Sequence, residues 1–276
     1  MKQRLDALLV TRGLCENRTR AQARIMAGEV YVNGKRVEKA GHPYPVDCLI
    51  HIKEDSNPYV SRGGLKVARA LEDFRVSIQD RVCLDVGAST GGFTHCLLTM
   101  GARKVYALDV GKGQLHWQLR QDPRVICLEG INARYLSEQQ LGQRVELVTI
   151  DVSFISLQLV LPAIKTVVES HADVLALVKP QFEAGRHHAE RGSGVIREPA
   201  IHTDVLWKTV KFAARHGWKI NGLTHSPLVG PKGNLEFWLW LKPCDETMQQ
   251  QDWSRDCCEQ VVRRAHAALG RKVHNI

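Results

Sequence analysis

The chain has 276 residues, 44% of them hydrophobic, and its 38 Lys and Arg against 29 Asp and Glu leave a formal net charge of +9. That length holds one large or two moderate domains, and no apolar run approaches the roughly 18 residues of a membrane span. The opening Met1-Lys2-Gln3-Arg4-Leu5-Asp6 has no apolar secretion region, so a cytoplasmic protein is expected, and the basic balance favours a polyanionic partner, most simply nucleic acid. Eight cysteines are scattered without a C-x-x-C pair. They read as free thiols in a reducing compartment. His187-His188 reads as a loop pair, and no metal is expected.

Residues 1–53 form a unit of their own. Leu5, Leu8 and Leu9 share a face of a short helix over Arg4–Arg12. Asn17 caps a second helix from Arg18 to Ala27, with Ala21, Ile25 and Met26 inward. Val30–Val32 and Lys35–Val37 flank Asn33-Gly34, the favoured two-residue hairpin turn, and a further strand runs from Cys48 to Ile52. Two small helices, a hairpin and arginines along the second helix resemble the S4-type RNA-binding module. The resemblance rests on Arg4-Leu5-Asp6, Arg18-Thr-Arg-Ala-Gln-Ala and Gly28-Glu-Val-Tyr-Val-Asn-Gly. It implies an RNA face built from Arg4, Arg18, Arg20, Arg24, Lys35 and Arg36, whose cations would hold phosphates and position RNA rather than read its sequence.

Residues 54–60 read as a linker, and 61–276 as a second domain. A helix is expected with Leu65, Ala68 and Leu71 inward and Lys66 in its first turn, where the helix dipole does not help a cation. Then comes Val82-Cys-Leu-Asp-Val-Gly-Ala-Ser-Thr-Gly-Gly-Phe-Thr-His-Cys96. A buried strand, a glycine-rich turn and a helix open a nucleotide-binding α/β sheet. The turn lacks the G-x-G-x-x-G spacing of dinucleotide sites. Asp85 before it would repel a pyrophosphate but suits a ligand with a cationic end, so S-adenosylmethionine is preferred over a dinucleotide. Asp109 ends the next strand, about 20 residues on, where a carboxylate meets ribose hydroxyls.

Further strands are predicted at Val125–Leu128, Leu147–Asp151, Val174–Val178, Ile220–Ser226 and Glu236–Leu241, with helices at Leu157–Val168 and Ile201–His216. The last two strands form an antiparallel hairpin through Gly230-Pro-Lys-Gly233. The fold class is therefore α/β with a mostly parallel seven-stranded sheet, plus a small N-terminal α+β domain; a parallel sheet closed by an antiparallel strand resembles the Rossmann-like class I methyltransferase architecture. Asp151, Lys179 and Glu236 fall at strand ends on the edge that carries the glycine turn, where ligands bind in open α/β sheets. Pro180–Pro199, with Arg186, Arg191 and Arg197, reads as a mobile substrate loop. Asp252–Leu269 suits a helix with Val261, Val262, Ala265 and Leu269 inward.

The glycine turn, Thr-Ile-Asp151-Val-Ser-Phe-Ile-Ser, Leu-Val-Lys179-Pro-Gln-Phe-Glu and Lys-Gly-Asn-Leu-Glu236-Phe together resemble the TlyA-like family over nearly the whole chain. Its members join an S4-type domain to an FtsJ-like methyltransferase domain and are labelled both hemolysin and rRNA methyltransferase. Thr90 stands where the wider FtsJ-like pattern often has proline. The resemblance implies transfer of a methyl group from S-adenosylmethionine to a ribose 2′-hydroxyl of ribosomal RNA, on the RNA or in ribosomal subunits. It implies a catalytic tetrad of Lys66, Asp151, Lys179 and Glu236, with Lys179 polarising the hydroxyl or receiving its proton. That last role needs a lowered lysine basicity, which burial and Lys66 would favour and the two carboxylates oppose. For the donor it implies Gly87, Ala88, Ser89, Gly91, Gly92 and Phe93 around the methionine end, Asp85 near its ammonium, Asp109 at the ribose and Asn132 or its neighbours at the adenine. The rival readings are a membrane-active hemolysin, which would need an apolar spanning or amphipathic segment, an RNA-binding protein with a degenerate catalytic domain, and a dehydrogenase.

Overall fold

A computed structural model describes residues 2–26, 28–53, 57–185, 194–244 and 253–273. The chain divides into two compact units, Met1–Pro58 and Tyr59–Ile276. Residues 54–56 of the expected linker lie outside the described residues, as do Arg186, His187, His188 and Arg191.

In the first unit, α1 (Leu5–Thr11) and α2 (Arg18–Met26) pack beside β2 (Val30–Val32), β3 (Lys35–Arg36) and β5 (Ile50–Ile52). The Asn17 side chain accepts the Arg20 N–H at 2.8 Å, the N-cap bond that the sequence predicts. Asn33 and Gly34 both have positive φ, 50° and 77°, as a tight hairpin turn requires. Two short strands, β1 (Lys2–Arg4) and β4 (Pro43–Pro45), pair antiparallel and were not expected. Met26 is not inward: it is 76% exposed, because the residue after Ile25 turns about 100° away from the buried stripe.

In the second unit, α3 (Gly63–Phe74) leads into a sheet of, among the described residues, seven strands. These are β6 (Val82–Val86), β7 (Lys104–Asp109), β8 (Val125–Glu129), β9 (Val145–Ile150), β10 (Val168–Val178), β11 (Trp218–His225) and β12 (Phe237–Pro243). Their order is β11-β12-β10-β9-β6-β7-β8. The strands from β6 to β10 pair in parallel, and β12 runs antiparallel to both β10 and β11. Between strands lie α4 (Gly92–Thr99), α5 (Trp117–Gln121), α6 (Glu138–Leu141), α7 (Leu157–Val167), α8 (Pro180–Glu183) and α9 (Pro199–Arg215), and α10 (Arg255–Val273) follows the sheet.

Val86, Leu84, Val148 and Ile150 point into one apolar layer and Cys83, Leu147 and Leu177 into the other, so the central strands are buried on both faces. The inward face of α3 is Gly64, Val67, Ala70 and Leu71 rather than Leu65 and Ala68. Gly64 sets that face, because a Cβ there would collide with the Tyr59 ring. Val261, Val262, Ala265 and Leu269 of α10 are buried, as their spacing predicts. The stretch expected to be a loop after Lys179 begins instead with the turn of α8. Its far end is tied down: Asn234 accepts the Ile196 N–H at 3.0 Å and donates to the Gly194 carbonyl at 2.9 Å.

Candidate active site

The parallel strands converge on one edge, and the charged residues at their ends meet there. The chain leaves β9 at Ile150, and the Asp151 N–H still bonds the Val86 carbonyl of β6 at 2.8 Å. Asp151 is thus fixed at the last rung of the ladder. Lys179 follows β10, and its amine meets Asp151 Oδ1 at 2.5 Å, without the alignment of a regular hydrogen bond, and donates to Ser153 Oγ at 3.0 Å. Glu236 immediately precedes β12, and its Oε2 accepts from Lys66 Nζ, one turn into α3, at 2.6 Å. The four residues therefore form two ion pairs.

The pairs feel each other. Burial pushes the Glu236 carboxyl above its ordinary value and the Asp151 charge adds to this, while Lys66 and Lys179 oppose it. Glu236 Oε1 is buried and has no hydrogen-bond partner among the described residues. Gly230 packs so closely on that oxygen that any side chain there would strike it. A buried charge pair is weak evidence for stability, since desolvation offsets most of the attraction. Four such charges at one edge point to chemistry.

Two adjoining cavities open on this edge. The smaller, about 270 Å³, is lined by Arg62, Lys66, Ala88, Gly92, Phe93 and Asp151 among others. The larger, about 550 Å³, is lined by Leu108, Asp109, Ile131, Asn132, Asp151 and Phe154 among others. Gly87 and Ser89 border both. Gly87 has φ +85°, and a Cβ there would run into the Asp151 carbonyl. Only glycine satisfies both conditions, which is how the turn brings backbone to the cavity wall. Asp109 is held from behind, accepting the Ser89 N–H at 2.8 Å and the Gly111 N–H at 2.7 Å. The Asn132 side-chain oxygen accepts the Arg134 N–H at 3.0 Å, and Asn132 lines the larger cavity.

Two residues expected at the donor, Asp85 and Gly91, line neither cavity and make structural contacts. Asp85 is fully buried and lines neither cavity. Its carboxylate accepts from the Thr94 N–H and hydroxyl at 2.8 and 2.7 Å and from the Thr149 hydroxyl at 3.3 Å, so it ties α4 to the sheet instead of facing a ligand ammonium. Burial pushes its pKa up to about 7 against these hydrogen bonds. Gly91 borders neither cavity either; its missing Cβ makes room for Leu115 and Leu119. Sequence reasoning passed over Phe154. It is 90% exposed, has φ +65°, and its ring lies 4.9 Å from that of Phe182. An aromatic inside the Asp151–Ser156 motif was the available signal.

In the first unit the six expected RNA contacts divide. Arg4 and Arg18 are paired with Asp6, Arg24 with Glu29 and Arg36 with Glu38. Arg20 and Lys35 are exposed and have no ion pair among the described residues. Asp6 accepts from Arg4, Arg18 and Gln22 at once, which holds its carboxyl far below the usual range.

A parallel sheet ended by an antiparallel strand, with a glycine turn and acid-terminated strands on one edge, defines a class I methyltransferase fold. The comparisons with known proteins give the family. Residues 59–243 match the FtsJ-like methyltransferase model and residues 3–47 the S4 domain model. The chain is 46% identical to "Putative rRNA methyltransferase YqxC" of Bacillus subtilis, over 98% of this chain and 96% of that one. It is 43% identical to the "16S/23S rRNA (cytidine-2'-O)-methyltransferase TlyA" of Mycobacterium tuberculosis, over 96% and 97%. A solved structure described as "Putative hemolysin from Streptococcus thermophilus" matches with a TM-score of 0.78 at 41% identity, over 99% of this chain and 98% of that one. The chain belongs to the TlyA-like family of FtsJ-like methyltransferases with an N-terminal S4 domain.

Proposed function

We propose that this protein methylates a ribose 2′-hydroxyl of ribosomal RNA with S-adenosylmethionine as donor, in the cytoplasm. The observation that carries the reading is the pair of ion pairs, Lys179–Asp151 and Lys66–Glu236, at the rim of cavities sized for a nucleoside-bearing ligand. Asp109, Asn132 and Ile131 fit the adenosine part of the donor, and Gly87, Ala88, Ser89, Gly92 and Phe93 its methionine part. S-adenosylmethionine supplies a methyl group already activated by a sulfonium. The protein's task is then to place the acceptor oxygen in line and handle its proton.

Lys179 is the group for that task. Asp151 and Ser153 hold its amine in one place, where it polarises the hydroxyl or takes the proton. Glu236 holds Lys66 at the wall of the smaller cavity. Phe154 offers an exposed ring for the target base. The S4 unit supplies phosphate contacts. The membrane-active reading has no support from the elements: no described helix is long and apolar enough to cross a membrane.

The test is transfer of labelled methyl from S-adenosylmethionine to unmodified ribosomal subunits, beside Lys179→Ala. Label in RNA, resistant to alkali at one linkage and reduced by roughly 10²-fold or more in the variant, is the expected result. Full turnover by Lys179→Ala would remove its assigned role. Absence of donor binding by the unaltered chain would overturn the reading itself.

A further inference from the structure

The segment Asp151–Ser156 carries Asp151, Ser153 and Phe154, and its backbone is under strain. Phe154 sits at φ +65°, a left-handed conformation that a bulky residue rarely adopts. Something must hold the segment there. The β-ladder fixes only its first residue, through the Asp151 N–H. Val152 and Ile155 pack on the apolar layer below, and the polar side-chain and ring contacts that Ser153, Phe154 and Ser156 make to the next strand's end come from one short stretch, Lys179-Pro-Gln-Phe-Glu183. Lys179 bonds Ser153, the Phe182 ring packs on Phe154, and Glu183 takes the far end. Positions i, i+3 and i+4 share one face of a helical turn. Lys179 is the N-cap of α8, and Phe182 and Glu183 lie in its turn, so all three side chains reach the segment from one place.

Glu183 makes the firmest of these contacts. Its Oε2 accepts the Ser156 hydroxyl at 2.6 Å and its Oε1 the Leu157 N–H at 2.7 Å. Ser156 caps α7 by accepting the Gln158 N–H at 3.2 Å. One carboxylate thus closes the N-terminus of α7, where backbone donors are otherwise unsatisfied. The same bond joins the segment after β9 to the segment after β10.

We propose that Glu183 is a positioning residue for methyl transfer: by clamping Ser156 and the start of α7 to the turn that follows Lys179, it holds the strained Asp151–Ser156 segment in reactive register. This rests on the methyltransferase reading and assigns it a residue that touches neither donor nor acceptor. Burial raises the Glu183 carboxyl, consistent with a desolvated anchor.

The experiment is single-turnover methylation of unmodified subunits by Glu183→Gln, Glu183→Ala, Ser156→Ala and the Glu183→Ala/Ser156→Ala double variant, with donor affinity and unfolding midpoint measured on each. Glutamine can still accept from Leu157 and donate to Ser156, so Glu183→Gln retains most of the rate. Glu183→Ala lowers the chemical step at least tenfold with donor affinity within about threefold of the parent. The double variant is no slower than the slower single one, because both removals break one clamp. Rate losses that multiply in the double variant, or full rates in a folded Glu183→Ala, would overturn the proposal while leaving the methyltransferase reading intact. Failure of the unaltered chain to transfer methyl would overturn both.

Discussion

Asp85 is the penultimate residue of the strand that opens the site, and its environment makes a prediction about pH. Its folded pKa, about 7, lies above the value of roughly 4 expected for an unfolded aspartate. Between those values the folded state holds a proton that the unfolded chain has lost. Stability from this group is therefore full below about pH 4 and falls as pH rises toward 7, at a slope of at most about 1.4 kcal/mol per pH unit. Asn can accept from Thr94 and donate to Thr149 without titrating. Urea unfolding at pH 5 and pH 8 should show the parent losing stability relative to Asp85→Asn across that interval. Parallel changes in the two proteins would show that Asp85 is ionised throughout. The residue was visible in the sequence as the acid before the glycine turn, but its role was not. A carboxylate beside a ligand turn looks the same whether it faces the ligand or the helix behind it, and only Thr94 and Thr149, nine and 64 positions away, decide. Glu183 is similar: its motif was evident, but its hydrogen bonds to Ser156 and Leu157 join two strand ends that are neighbours only in the folded sheet.

The elements most legible in the sequence are those whose pattern repeats over a full strand or helix. The run Val82–Val86 and the stripe Val261, Val262, Ala265 and Leu269 required no knowledge of their neighbours. The short pair β1 and β4 gave no such signal. Lys-Gln-Arg and Pro-Tyr-Pro do not alternate, and their pairing is set by where α1 and the hairpin leave the chain. The face of α3 was misread because a glycine packed against tyrosine does not score as apolar. The glycine turn was read as a close approach of backbone to a ligand, and that can be tested between two glycines. Gly87 and Gly142 both have positive φ, but only Gly87 has backbone where a Cβ would go; Gly142 has open space. Gly142→Ala should cost about 1 kcal/mol of stability with unchanged donor affinity. Gly87→Ala should lose more stability and at least tenfold in S-adenosylmethionine affinity by calorimetry, since the Asp151 carbonyl must move. Equal effects from the two would show that the turn does not form the donor site.

The charge of +9 pointed to a polyanion, but it does not say how many cations are available to one. In the S4 unit Asp6, Glu29 and Glu38 already engage Arg4, Arg18, Arg24 and Arg36. These pairs fix guanidinium positions at the expense of net field. Arg20 and Lys35 have no ion pair among the described residues, so the first contacts with phosphate should be theirs. Each phosphate contact contributes about 0.7–0.9 to the slope of log affinity against log salt. Replacing both residues with alanine should therefore lower the slope for ribosomal RNA by roughly 1.4–1.8, with donor affinity unchanged. Replacing Arg36 alone should change the slope by less than replacing Arg20 alone, because Glu38 already engages its guanidinium. Filter binding over a potassium chloride series resolves these differences. A slope that stays the same after Arg20 and Lys35 are removed would mean that this face does not carry the RNA, and that the basic groups near the cavities, Arg62 and Lys66 among them, hold it instead.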